Sequence, residues 1–319
     1  MSLSPVRLIL SSLLFVPMMA SASPEAIELV GKMRDALIKS NYMGIFVYTN
    51  GQKMQTMHVA HEWKNGTERS HISALSGTPR EILRDQKYVT CVWPEAGAAV
   101  REPVSADRDF ELPIPSDTDK LSSYYRFSLG DMDRVASQPC RSVAVEPMDN
   151  YRFGHEYCID EKTGMPLRIQ TVNSEGQTIE QLVFTDISFP EVIDEQRFTL
   201  ASDISSYHIA EAATSTKWGS GKNKYKFNGL PIGFKVDSFV NQPASESEPG
   251  FHQLILSDGL AKVSLFISSY VHEQPMQGKL KSGAMHVMST NRDGHELTAI
   301  GEVPERTLQV VLDTIQIPK

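Results

Sequence analysis

The chain has 319 residues, a formal net charge of −8, 22% charged and 40% hydrophobic residues. That is an ordinary globular composition, and the length suggests two domains. The acidic balance argues against a nucleic-acid binder, which would normally show a basic surface.

Residues 1–22 read as a cleaved signal peptide. Arg7 is the basic residue of the n-region, Leu8 to Met19 is the apolar stretch, and Ala20-Ser21-Ala22 is an A-x-A cleavage site. The apolar run is short and broken by Pro17, so it does not read as a membrane span. No cysteine stands at the cleavage point to carry a lipid anchor. The mature chain is expected to start at Ser23, exported and soluble, with the loss of Arg7 taking the net charge from −8 to −9.

Ser23-Pro24 predicts a helix start, because serine caps well and proline suits the first helical position. Ile27, Val30, Met33, Leu37 and Ile38 recur at helical spacing, and Asn41 ends the helix. Strands follow at close intervals: Met43 to Tyr48, the Asn50-Gly51 turn, Gln52 to His61, the Asn65-Gly66 turn, Thr67 to Ala74, Glu81 to Asp85 and Lys87 to Trp93. Arg101 to Pro115 reads as a loop, and Asp117 to Phe127 as a short helix with Leu121, Tyr124 and Tyr125 on one face. Four more strands form a meander: Arg141 to Val145, then Tyr151 to Thr171 as two strands around the Asp160–Gly164 turn, then Thr178 to Phe184. Phe189 to Ser205 reads as a short helix or irregular segment closing the first domain, 23–206. Repeated hairpins without intervening long helices exclude an α/β fold and predict α+β, mostly antiparallel β.

Residues 207–224 read as a linker, with Gly219-Ser220-Gly221 at its centre and lysines 217, 222, 224 and 226 around it. Gly221-Lys222 is not a phosphate loop, because the first glycine of that motif would fall at Thr216. The unit 225–319 reads as a small α+β domain. Its strands are Lys235 to Val240, a hairpin turning at Asp258-Gly259, and a hairpin turning at Asn291 to Gly294; Pro304 to Ile315 is its closing helix.

Catalytic and metal signals are weak. His58 and His61 fall on opposite faces of a strand, so zinc is not expected, and no His-Glu-x-x-His or Gly-x-Ser-x-Gly occurs. His155 reads as a sheet residue. The expectation is a binding protein, not an enzyme, with no metal and no cofactor. Tyr151, Phe153 and Tyr157 sit at i, i+2 and i+6, which places them on one strand face as core or as the wall of a lipid cavity. Three cysteines in an exported chain leave one disulfide and one thiol; Cys140–Cys158 and Cys91–Cys140 both fit, as does burial of all three.

The sequence resembles the MucB/RseB family. In the first domain the resemblance rests on Arg80 to Asp85 with Val89 to Pro94, on Asp133-Arg134-Val135-Ala136 with Cys140, and on Tyr151 to Gly154 with Ile159 to Leu167. In the second it rests on Leu230-Pro231-x-Gly233-Phe234, Ser257 to Leu260 and Ile300 to Pro304. Cys158 departs from the family pattern, which has an aromatic residue there. The resemblance implies a LolA-like curled half-barrel for the first domain and a periplasmic location. It implies binding of the periplasmic part of a membrane anti-sigma factor (RseA/MucA-like), shielding it from a site-1 protease so that the sigma factor stays sequestered. It further implies lipopolysaccharide or other lipid fragments as release signal, and leaves a homo-oligomer open. Leu230, Pro231, Phe234, Asp258, Gly259 and Leu260 are the candidate partner contacts. The rival reading is a periplasmic lipid or lipoprotein carrier of LolA type.

Overall fold

A computed structural model describes residues 23–104, 115, 117–211, 216–217, 225–244, 250–269 and 278–318. The segment read as a signal peptide lies outside them, as does much of the stretch read as a linker.

Helix α1 spans Pro24–Lys39, with the Ala26 amide donating to the Ser23 hydroxyl at 3.4 Å. The strands of the first unit are β1 (Tyr42–Asn50), β2 (Lys53–Lys64), β3 (Thr67–Ala74), β4 (Glu81–Arg84), β5 (Tyr88–Trp93) and β6 (Ala98–Pro103). After helix α2 (Thr118–Leu121) come β7 (Tyr125–Val135), β8 (Gln138–Pro147), β9 (Gly154–Ile159), β10 (Pro166–Val172), β11 (Thr178–Ser188) and β12 (His208–Glu211). They form one sheet in the order β12-β6-β5-β4-β3-β2-β1-β11-β10-β9-β8-β7. Every neighbouring pair is antiparallel except β12 on β6.

The sheet is curled. Phe46 on β1 and Met57 on β2 share a core with Phe127 and Val135 on β7, although β7 is the far edge of the strand order. The apolar stripe of α1 fills the concave side: Leu29, Val30, Met33 and Leu37 are all buried in that core. Burying each such side chain contributes about 2 kcal/mol.

The second unit contains β13 (Thr216–Lys217), β14 (Lys226–Phe227), β15 (Lys235–Gln242), β16 (Phe251–Ser257), β17 (Lys262–Ser268), β18 (Gly278–Ser282), β19 (Met285–Arg292), β20 (His295–Gly301), helix α3 (Glu305–Thr314) and β21 (Ile315–Gln316). Seven of its strands form a sheet in the order β13-β15-β16-β17-β20-β19-β18, and β14 pairs with β21. Helix α3 buries Leu308, Val311 and Leu312 in a second core with Leu254, Leu265 and Ala299.

Several expectations change. The helix read over 117–127 is a single turn; Tyr125 and Phe127 are buried and Arg126 is exposed, the alternation of an edge strand. The loop read from Arg101 begins inside β6, and β18 was not foreseen. Part of the stretch read as a linker is paired: 208–211 to β6 and 216–217 to β15.

Cys140 and Cys158 form the disulfide, with Cα atoms 5.3 Å apart, and Cys91 on β5 lies outside it. Of the two pairings that fit the sequence, the structure contains the one across adjacent strands β8 and β9.

The segment after β11 straps the outer face of β3 and β4. The buried Glu81 carboxylate accepts from the Ala201 amide at 2.8 Å, the Ser202 amide at 3.1 Å and the Ser202 hydroxyl at 2.5 Å, and meets His71 Nε2 at 3.1 Å. Burial alone would raise the Glu81 carboxyl, but the bonds from Ser202, Ala201 and His71 outweigh it and hold it below the ordinary carboxylate value.

Candidate functional site

The two units meet at a junction built around Arg152. Sequence reading places Tyr151 and Phe153 on the strand with Tyr157, but β9 begins at Gly154, so the three do not line one strand face. The chain turns through Asp149, whose Oδ1 accepts from the Tyr151 amide at 2.9 Å, and this turn aims Arg152 at the second unit. Its side chain is fully buried.

Each part of the guanidinium has an acceptor. Nε donates to Asp258 Oδ2 at 2.5 Å, Nη1 to Asp149 Oδ2, and Nη2 to the Ile232 carbonyl. The rings of Tyr124, Tyr125 and Phe234 surround it, with centroids at 5.2, 5.5 and 5.1 Å. A buried guanidinium would be costly alone; here paired charge, hydrogen bonds and ring faces offset the lost hydration. Burial by itself would lower Arg152, yet Asp258 and Tyr125 more than compensate and raise it, so it is a permanent cation.

Asp258 is the matching anion. Its Oδ2 also accepts from the Tyr125 hydroxyl at 3.0 Å, while Oδ1 accepts from the Leu260 and Ala261 amides, both at 2.8 Å. Aspartate is needed because one carboxylate closes the β16–β17 turn and reaches across the junction at once. Tyr125 is pushed well above the ordinary phenol value by burial and the Asp258 charge, and it serves as a donor. Gly233 has φ 90°, and a Cβ there would lie 2.8 Å from the Tyr124 ring, so the 230–234 loop requires glycine against that ring.

Further contacts flank the hub. The Thr307 hydroxyl on α3 donates to the Tyr151 carbonyl at 2.6 Å. The Phe153 and His286 rings lie 6.0 Å apart, and burial pushes His286 below the ordinary imidazole value. On the other side the β1–β2 turn abuts the β18–β19 turn: a Cβ on Gly283 would collide with the Asn50 side chain.

The six candidate partner contacts are therefore gathered here, but mostly as parts of the joint. Pro231, Phe234, Asp258 and Leu260 are buried, and Gly259 and Leu230 are half-buried. Leu260 inserts into the core of the first unit, and Leu230 packs on the core of the second. The exposed large side chains at the rim are Ile232, 79% exposed, and Met148, 55% exposed. Sequence reasoning missed Arg152, Tyr125 and Ile232; the available signal was an arginine set between two aromatics in Tyr151-Arg152-Phe153.

Tyr157 lies in the first core, Phe153 faces His286, and Tyr151 is half-buried. They do not share a cavity wall. An open depression of about 420 Å³ between α1 and the 160–164 turn is lined by Lys32, Asp35, Lys39, Glu161 and Lys162, a polar surface unsuited to an acyl chain. His155 is buried on β9 beside Thr171 Oγ1 at 3.4 Å, and burial pushes it down to about 4, a neutral sheet histidine. His61 is fully buried and stacks on Tyr42 at 4.6 Å, whereas His58 is half-buried. Among the described residues, no group of three or more His, Cys, Asp or Glu side chains is placed to hold a metal, and no helix is long and apolar enough to cross a membrane.

Residues 25–201 match the MucB/RseB N-terminal domain, and residues 219–316 match the MucB/RseB C-terminal domain. The sigma factor AlgU regulatory protein MucB of Pseudomonas aeruginosa is 27% identical, over 99% of this chain and 98% of its own. The sigma-E factor regulatory protein RseB of Escherichia coli K12 is 25% identical, over 98% of this chain and 96% of its own. The fold is similar to that of MucB in the Pseudomonas aeruginosa MucA/MucB complex, with a TM-score of 0.72 and 24% identity over 92% of this chain and 99% of that one. It is also similar to a crystal structure of MucB, with a TM-score of 0.66 and 22% identity over 93% of this chain and 99% of that one.

Proposed function

The chain belongs to the MucB/RseB family, and on that premise we propose that it is a regulator that binds the periplasmic part of a membrane anti-sigma factor. The observation that carries this reading is that both family domains match in order along one chain, covering the relatives almost end to end. Curated relatives are described as regulatory proteins of AlgU or sigma-E, and a relative is seen in complex with MucA. Family members bind and regulate rather than catalyse.

In the finer reading, binding shields the anti-sigma factor from site-1 proteolysis in the periplasm and keeps the sigma factor sequestered. Lipopolysaccharide or a related lipid fragment releases it. Such release is linkage: a lipid that prefers the unbound form weakens partner binding, and the partner weakens lipid binding by the same factor. The contact surface we assign to the rim of the junction, with Ile232 outward, Leu230 and Gly259 half-buried beside it, and Pro231, Phe234, Asp258 and Leu260 holding that rim in place. A LolA-type carrier is less well supported, because α1 side chains fill the concave side of the sheet where such a carrier would need space.

The test is a protection assay. The mature chain is mixed with the periplasmic fragment of the same organism's anti-sigma factor and its activated site-1 protease, with and without lipopolysaccharide. Slower cleavage that lipid restores is the expected result. A fragment that neither binds nor is protected would remove the regulator reading.

A further inference from the structure

We propose that the junction is a latched joint: the two units part and reorient as intact bodies when the Arg152–Asp258 pair opens. The proposal goes beyond the partner reading and does not rest on it.

Three observations carry it. First, each unit owns a complete apolar core, and among the described residues Leu260 is the one second-unit side chain in the core of the first. Separation therefore withdraws Leu260 and leaves the rest of both cores in place. Second, polar contacts cross the junction among the rings of Phe234, Tyr124 and Phe153: Arg152 to Asp258 and to the Ile232 carbonyl, Tyr125 to Asp258, and Thr307 to the Tyr151 carbonyl. Such groups regain water when they part, whereas an apolar seam would not, and polar seams are the ones across which domains move. Third, the contacts converge. Arg152 is one side chain, yet it holds two second-unit loops, 230–234 through a backbone carbonyl and 258–261 through a carboxylate. Releasing that one group loosens both loops together and leaves the Tyr125–Asp258 and Thr307–Tyr151 bonds to part after it, which is how a catch behaves and a broad adhesive surface does not.

The alternative is a rigid joint, in which the polar cluster is merely how a permanent interface is satisfied. The two make different predictions about shape in solution. Spin labels at Ser174→Cys on the first unit and Lys262→Cys on the second, both exposed positions, report the distance between the units in a Cys91→Ser background. The unsubstituted junction is expected to give one narrow distance peak. Arg152→Met removes the catch. Gly233→Ala keeps both charges but places a Cβ 2.8 Å from the Tyr124 ring, wedging the 230–234 loop and its Ile232 carbonyl away from Arg152 and so forcing the catch from the other side. Each variant is expected to add a second, displaced peak with the circular dichroism of the folded chain retained. If Arg152→Met fails to fold because it strands Asp258, Gly233→Ala decides alone. A folded variant that keeps the single original peak overturns the proposal.

Discussion

The disulfide offers the sharpest test of the energetics. Cys140 and Cys158 are both fully buried and close a loop with a sequence separation of 18. In the chain-entropy description, a loop of that size restrains the unfolded state by about 3 kcal/mol. For a unit of this size that corresponds to a melting temperature lower by about 6 to 12 °C. The perturbation is Cys140→Ala with Cys158→Ala, because serine would bury two unsatisfied hydroxyls and confuse the comparison. Calorimetry on the oxidised chain, the same chain reduced, and the double variant gives the shift. Thiol titration of the denatured, unreduced chain should find one thiol, and peptide mapping should place it at Cys91. A second thiol, a Cys91–Cys140 link, or a double variant that melts with the parent would refute the reasoning.

Acid should destabilise the first unit through His155. Its folded value near 4 lies below the ordinary 6.5, so the unfolded chain binds the extra proton and stability falls as pH drops through that window. The slope approaches about 1.4 kcal/mol per pH unit for one site, and urea midpoints of His155→Gln measured at pH 7 and 5 should show a smaller drop than the parent's. Ala136 and Ser137 both hold positive φ, 49° and 63°, at the β7–β8 turn. Ser137→Gly should raise stability by about 1 kcal/mol, read as a higher melting temperature. Glu81→Ala removes the carboxylate that holds Ala201 and Ser202, so it should cost about 3 kcal/mol and open 199–205 to limited proteolysis before the rest of the chain. An unchanged cleavage pattern there would contradict the strap.

The strands that could be read are those with a local signal. Asn50-Gly51, Asn65-Gly66 and Asp258-Gly259 mark turns by their own chemistry, and the stripe of α1 repeats at helical spacing. β6 failed because Arg101, Glu102 and Pro103 look like a loop, and pairing with β5, and of Arg101 with β12, makes them a strand. β7 failed because Leu121, Tyr124 and Tyr125 fit a helical face; tertiary burial of Tyr125 and Phe127 on alternate positions overrode that spacing. The junction was legible only in part. Leu230 to Phe234 and Asp258 to Leu260 stood out as segments, but pairing Arg152 with Asp258 spans 106 residues, and nothing local in either stretch states it. Their burial then reverses the simplest inference from such segments, that a singled-out loop is an exposed contact.

That reversal bears on why the joint is charged at all. Apolar residues of similar volume would hold the two units at least as tightly, since a buried ion pair recovers little beyond its desolvation cost. What Arg152 and Asp258 add is direction. The guanidinium fixes three acceptors in one plane, and each comes from a different turn: Asp149, Ile232 and Asp258. A slide of one unit over the other by a single residue would leave a buried charge unpaired, at about 3 to 5 kcal/mol, whereas an apolar seam would tolerate it. The junction thus penalises intermediate arrangements more than separation, where both charges return to water. The binding surface we propose on that rim, where Ile232 is 79% exposed, is accordingly set in one position while the latch is closed. Ile232→Ser should then weaken capture of the anti-sigma fragment without changing the distance between the units, and Gly233→Ala should change both.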